Sequence, residues 1–438
     1  MQTIDTLISA AHVVPVEPGG ALLHDHSVAV DAGRIVAVMP AAEAATRFNA
    51  RSHVRLEDHV LIPGLVNLHC HAAMSLMRGI ADDLPLMKWL QEHVWPAEGK
   101  HVSDEFVHDG SLLAMAEMLR GGVTCVNDMY FFPEATARAA LRAGMRACLG
   151  IIAIEFPSAY APDAAGYLAK GLAARDAYLG EDLLAFALAP HAPYTVGDET
   201  LKRIAVLADE LDLPVHTHVH ETEEEITLGR SQHGVRPLER LRRLGIVGPR
   251  LIAVHAVHLD DVEIELLARE GASVAHCPSS NLKLASGFAP VARLRARGVN
   301  VGIGTDGAAS NNRLDVFSEM RTAALLAKAV AGDAAVVGAG EALRMATIDA
   351  ARAIGLEREI GSLEPGKRAD ITAVSLASVE TQPCFDPVSH LVYAAGREHV
   401  THVWVGGEAR LVERKLAGID ETELREKARW WQRKLTAA

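Results

Sequence analysis

The sequence predicts an α/β fold, a (β/α)8 TIM-type barrel with a small β-sandwich domain formed by both chain ends. Three observations lead there. Between residues 60 and 369, eight β-rich apolar runs alternate with segments of helical apolar spacing. Those runs are hydrophobic almost throughout, as strands of a parallel sheet covered on both faces require. Both ends of the chain instead hold short strands with turn signals between them. The division expected is 1–59 for the first part of the β-domain, 60–369 for the barrel, and 370–438 for the second part with a C-terminal helix. An open, doubly wound sheet is the alternative, since periodicity does not reveal closure.

Near the N-terminus, "SVAVDAGRIVAVM" places two β-rich runs around Asp31-Ala32-Gly33, a hairpin signal. The far end answers with "ADITAVSL" and with "HVWVGGEARLV", which turns at Gly406-Gly407. The barrel strands are expected in "VLIPGLVNLHC", "GVTCVNDM", "MRACLGIIAI", "LLAFALAPHA", "PVHTHVHE", "LIAVHAVHL", "ASVAHCPSS" and "VNVGIGTDG". Helices are expected between them, as in "TLKRIAVLADELDL" and "DDVEIELLAREGA".

Composition narrows the functional classes. With 438 residues and 49% hydrophobic content, the chain is long enough for a large core and too apolar for disorder. A net charge of -13 argues against a nucleic-acid surface. The five cysteines, Cys70, Cys125, Cys148, Cys277 and Cys384, form no CxxC pair and suit a reduced, cytoplasmic protein. "MQTIDTLISAAHVVP" carries no signal-peptide pattern, and no apolar stretch reaches membrane-spanning length.

Barrels carry reactive groups at the C-terminal ends of their strands. Reading polar residues there yields His69 and His71, then His191, then His218 with Glu221, then His255, and finally Asp306. Residues i and i+2 of a strand face one side, about 7 Å apart along the chain. His69 and His71 can therefore converge on one metal, while Cys70 faces away into packing. Further imidazole and carboxylate ligands would come from other strands, leaving a position open for water. Taken singly, His191 or His255 suits a structural histidine, and Asp306 an Asx-turn or cap. Their shared position at one end of the barrel is what favours a metal site.

The chain resembles the amidohydrolase superfamily and, within it, the 5'-methylthioadenosine/S-adenosylhomocysteine deaminases. The stretches that carry this are "PGLVNLHCHAAMSLMRGIADDLPLMKWL", "APHAPYT", "HTHVHETEEE", "CPSSNLKLASGFAPV", "GTDGAASNN" and "GSLEPGKRADI". The resemblance implies the metal ligands His69, His71, His218 and Asp306. It also implies Glu221 as proton shuttle, His255 as orienter of the attacking water, and Asp306 as proton acceptor. "LLAFALAPHAPYT" lacks the lysine that bridges two metals in binuclear members, so one divalent ion is expected, zinc before iron or manganese. In "ETEEE", Glu223, Glu224 and Glu225 read as a solvated helix start, His216 as a barrel-interior filler and His220 as a loop residue.

For substrate, the resemblance implies that Trp89 stacks on a nucleoside, that Glu98 binds the ribose hydroxyls and that His191 meets the purine or ribose edge. From spacing alone, Leu86, Trp89, Leu90 and His93 trace one helical face, which suits a core position for Trp89. No Arg or Lys lies between Arg146 and Lys170, where related enzymes hold an amino-acid carboxylate. The expected activity is hydrolytic removal of the 6-amino group, with 5'-methylthioadenosine preferred over S-adenosylhomocysteine and adenosine. Arg78 or Arg313 could still reach the tail. The alternative is a guanine-, pterin- or triazine-type aminohydrolase. The partners expected are a small nucleoside and further copies of the chain, with neither nucleic acid nor membrane.

Overall fold

A computed structural model describes residues 1–436. In chain order, β1 (Gln2–Val13), β2 (Leu23–Asp31), β3 (Arg34–Pro40) and β4 (Phe48–Pro63) open the molecule. The central strands are β5 (Leu65–Cys70), β6 (Val123–Asp128), β7 (Arg146–Ala153) and β8 (Leu184–Pro190). They continue as β9 (Val215–Val219), β10 (Leu251–His255), β11 (Ser273–His276) and β12 (Asn300–Ile303). The chain closes with β13 (Ile371–Ser375), β14 (Val400–Val405), β15 (Glu408–Val412) and β16 (Lys415–Leu416).

Strands β5 to β12 are the eight apolar runs of the sequence, and they lie side by side in sequence order with parallel pairing. The ends of the series meet. Asp306 N donates to His69 O at 2.9 Å, and Thr305 N donates to the Asn67 Oδ1 at 2.9 Å. The Asn67 amide also donates to Thr305 Oγ1 at 2.8 Å. These bonds across β5 and the end of β12 make the sheet a barrel. Gly304 sits in this seam, where an added Cβ would lie 2.7 Å from His69 N and 2.8 Å from His69 Cβ. Gly304→Ala is therefore expected to destabilise the fold by about 1–3 kcal/mol and weaken metal retention, read by thermal melting and metal analysis. Wild-type values in both would refute the seam.

The remaining strands form one eight-stranded sheet ordered β16-β15-β14-β13-β4-β1-β2-β3, so both chain ends contribute. It curls around Ile8, Val30, Ile35, Ile371 and Trp404, whose buried side chains form one cluster, giving the sandwich. The hairpin joining β2 and β3 turns at Ala32 and Gly33, both at positive φ (48° and 76°), as a two-residue turn between twisted strands requires. The run "VLIPGLVNLHC" divides at Gly64: Val60–Pro63 pair with β13 in the terminal sheet, and Leu65 onward enters the barrel. A buried ion pair joins the two units, Arg146 at the start of β7 with Asp370, at 3.1 Å. The C-terminal helix Glu421–Thr436 packs on the barrel instead of the sheet. Its Trp431 is 2% exposed and donates from Nε1 to Asp109 on the helix Asp104–Arg120.

Between strands, the expected helices appear with recognisable ends. Asp261–Glu270 begins at Asp260, whose side chain accepts from Glu263 N while Glu263 reaches back, and ends at Gly271 with φ 70°. Among the described residues, no helix is long and apolar enough to cross a membrane.

Candidate metal centre and pocket

The strand ends bring the predicted histidines together with their rings already aimed. His69 Nδ1 shares a 2.9 Å hydrogen bond with His216 Nε2. His71 Nδ1 donates to Met129 O and His218 Nδ1 donates to His191 O, each at 2.6 Å. With Nδ1 engaged, each Nε2 is left for the common space. Asp306 Oδ1 lies 3.3 Å from the Nε2 atoms of both His69 and His71, while Oδ2 accepts from Ser280 at 2.7 Å and Ser310 at 2.8 Å. Donor atoms of His69, His71 and Asp306 lie within 4.8 Å of one another, as do those of His69, His218 and His255.

His69 Nε2 is fully buried and has no hydrogen-bond partner. Such an orphan is costly unless something outside the protein satisfies it. Imidazole nitrogens and one carboxylate oxygen, closely spaced, suit a divalent transition metal. The residues therefore fit a metal ion. Burial lowers His69 to about 4 and His191 to about 3, and pushes His216 and His218 well down, so the rings are neutral, the form that ligates.

His216 is more than the filler the sequence suggested, because it sets the tautomer of His69. His216→Phe keeps the volume and removes that bond. Metal affinity is expected to fall about 10- to 100-fold, measured by competition with a chromogenic chelator. Unchanged affinity would show that packing alone orients His69.

His255 is anchored differently. Its Nδ1 donates to Asn281 Oδ1 at 2.8 Å, and its Nε2 stands 3.7 Å from Glu221 Oε2. Both His255 (φ 68°) and Asp306 (φ 61°) adopt the left-handed region, where a non-glycine residue carries strain of order 1 kcal/mol. Strain of this kind persists where surrounding contacts hold it, and here it falls on two candidate reactive groups. Glu225 departs from the solvated helix start. It is 5% exposed and accepts from the backbone N–H groups of His220 and Glu221, fixing the turn that presents Glu221. Glu223 and Glu224 are exposed as expected. His220 is buried too, where Nε2 accepts from Leu238 N.

His71, His218 and Asp306 floor a cavity that Trp89, Glu98, His191, Glu221 and His255 also line. A π-helical turn at Leu90–Val94 explains why Trp89 faces the cavity while His93 is exposed: the wider turn rotates the following residues off the expected face. Tyr130 donates to Glu98 Oε1 at 2.7 Å, and burial pushes Glu98 up to about 7. Sequence reading missed the aromatic wall of Trp95, Tyr130, Phe131, Phe156 and Tyr194. Aromatic residues scattered over the segments that follow four different strands carry no periodic signal. Among the described residues, no Lys or Arg lines the cavity. Arg78 is held by Glu117 and the Asn312 carbonyl, and Arg313 by Asp315.

Residues 60–410 match the amidohydrolase family model. A 5-methylthioadenosine/S-adenosylhomocysteine deaminase of Saccharophagus degradans is 48% identical, over 99% of this chain and 97% of its own. The crystal structure of an adenosine deaminase from Xanthomonas campestris with bound zinc superposes with a TM-score of 0.98 at 51% identity, covering 99% of each chain. Atrazine chlorohydrolase from Arthrobacter aurescens TC1 shares the fold alone, at 24% identity and a TM-score of 0.90, over 97% of this chain and 99% of that one. This chain belongs to the amidohydrolase family.

Proposed function

We propose that this chain is a hydrolytic deaminase of adenosine-type nucleosides, working with one zinc ion held by His69, His71, His218 and Asp306. The observation that carries the reading is the cavity. Converging imidazoles form its floor, an aromatic wall faces them, and the Glu98 carboxylate lines the wall as a partner for a ribose diol. A carboxylate accepts from both hydroxyls of a diol. When bound, zinc supplies the Lewis acidity that lets a water ionise near neutral pH.

The side chains do the rest. Glu221, pushed up by burial, holds a proton for the ring nitrogen beside the amino-bearing carbon. His255 accepts from the attacking water through Nε2, because Nδ1 is committed to Asn281. Asp306 takes up the water's proton and passes it to the leaving amine, so that nucleoside and water become the 6-oxo nucleoside and ammonia. Trp89 stacks on the base, and His191 hydrogen-bonds the purine or ribose edge.

Without a cation on the wall, a zwitterionic 5' tail finds no charge-assisted partner, whereas a methylthio group suits Phe156 and Ile154. The preferred substrate is 5'-methylthioadenosine, with S-adenosylhomocysteine and adenosine poorer. Ammonia release from the three nucleosides, with and without a chelator, tests this. Higher kcat/KM for S-adenosylhomocysteine sinks the preference, and no chelator-sensitive release from any of them sinks the deaminase reading.

A further inference from the structure

Behind the cavity lies a buried carboxylate that the chemistry above leaves unused. Glu319, on the helix Val316–Ala331, is 1% exposed. Its two oxygens face different segments. Oε2 accepts from Ser279 N at 3.0 Å, at the start of the short helix Pro278–Lys283 that follows β11. Oε1 accepts from Asn311 Nδ2 at 2.8 Å, in the loop that follows β12. The same Asn311 amide reaches Thr305 O at 2.7 Å.

Each segment carries groups that orient the reactive residues. From the first come Ser280, which donates to Asp306 Oδ2, and Asn281, which accepts from His255 Nδ1. From the second comes Ser310, which donates to the same Asp306 oxygen, and the two hydroxyls stand 3.1 Å apart. Leaving an ion in the interior is costly unless its bonds are met. Here those bonds run to both segments at once.

We propose that Glu319 is a positioning residue of this site: its carboxylate straps the segment after β11 to the segment after β12 and so sets Asp306 and His255 in place relative to each other. Without the strap the two segments shift independently, and Asp306 loses the paired hydroxyls that fix which oxygen faces the metal. Gln has the shape of Glu but only one acceptor oxygen, so it can serve one segment and not both. Burial pushes Glu319 up to about 7, and Gln keeps its size and one of its two acceptors.

The kinetic arm of the test rests on the deaminase reading, and the spectroscopic arm does not. Glu319→Gln is compared with wild type and with Asp370→Asn. That control weakens a buried carboxylate contact at the opposite end of the barrel, where Arg146 and Gly406 N donate to Asp370. Zinc-loaded protein serves for kinetics and cobalt(II)-loaded protein for visible absorption, both well below the melting temperature. The expected result for Glu319→Gln is a kcat lower by about 10- to 100-fold, a KM close to wild type and an altered cobalt band. Asp370→Asn is expected to melt earlier and keep kcat, KM and spectrum. Should Glu319→Gln fail to fold, Asn311→Ala cuts one arm of the strap and is expected to shift the cobalt band in the same direction. A wild-type kcat and spectrum in Glu319→Gln, or a wild-type spectrum in Asn311→Ala, overturns the strap. If wild type itself releases no ammonia, the deaminase reading falls and the cobalt band alone decides on Glu319.

Discussion

Glu221→Gln is expected to lower kcat for nucleoside deamination by about 10²–10⁴, with KM nearly unchanged. The carboxyl is 6% exposed and sits at the cavity floor, with Oε2 3.7 Å from His255 Nε2. Gln preserves its size and one hydrogen bond, but it has no titratable proton to hand to the ring nitrogen. The backbone that presents it is fixed independently, since Glu225 accepts from the Glu221 N–H at 2.9 Å. Folding and metal content should therefore stay at wild-type levels, and the loss should appear in kcat. Stopped-time ammonia assays alongside metal analysis check this. A variant with full kcat and full metal would remove Glu221 from proton transfer.

Asp306→Asn should have an effect of similar or greater size, of a different kind. Asp306 combines two jobs, one per oxygen. Oδ1 faces the imidazoles of His69 and His71 at 3.3 Å, and Oδ2 accepts from Ser280 and Ser310. An amide supplies only one acceptor oxygen, so it either faces the metal with a donor or turns a donor toward two hydroxyls. It also takes up no proton. Metal affinity is expected to drop about 10- to 100-fold, and kcat of the metal-saturated protein by a further 10²–10⁴, approximately. Titration of activity against added zinc separates the two parts. Recovery of wild-type kcat at saturating zinc would confine Asp306 to metal binding.

Much of the architecture was legible before any coordinates. Strand periodicity located all eight barrel strands, because residues buried on both faces must be apolar at consecutive positions. The i, i+2 spacing of His69 and His71 pointed to a shared site at the end of β5, where His69 is the next-to-last strand residue and His71 follows directly after it. What periodicity could not show was where a chemically uniform run changes partner. "VLIPGLVNLHC" reads as one strand, yet Gly64 splits it between two sheets. The π turn at Leu90–Val94 was equally invisible, because an inserted residue leaves the composition of a helix unchanged while rotating its face.

The positions of the barrel strands along the chain, the type of donor at each strand end and the absence of a lysine after β8 were determined by the sequence alone. These follow from local rules, namely which side chains alternate, which cap and which ligate. Tertiary structure alone decided that the Asn67 seam closes the barrel, that His216 steers His69, that Glu225 turns inward, and that Arg78 and Arg313 are spoken for elsewhere. The seam and the His216 contact join residues more than a hundred positions apart, and the others depend on which way a side chain or a turn faces, so sequence spacing carries no record of them.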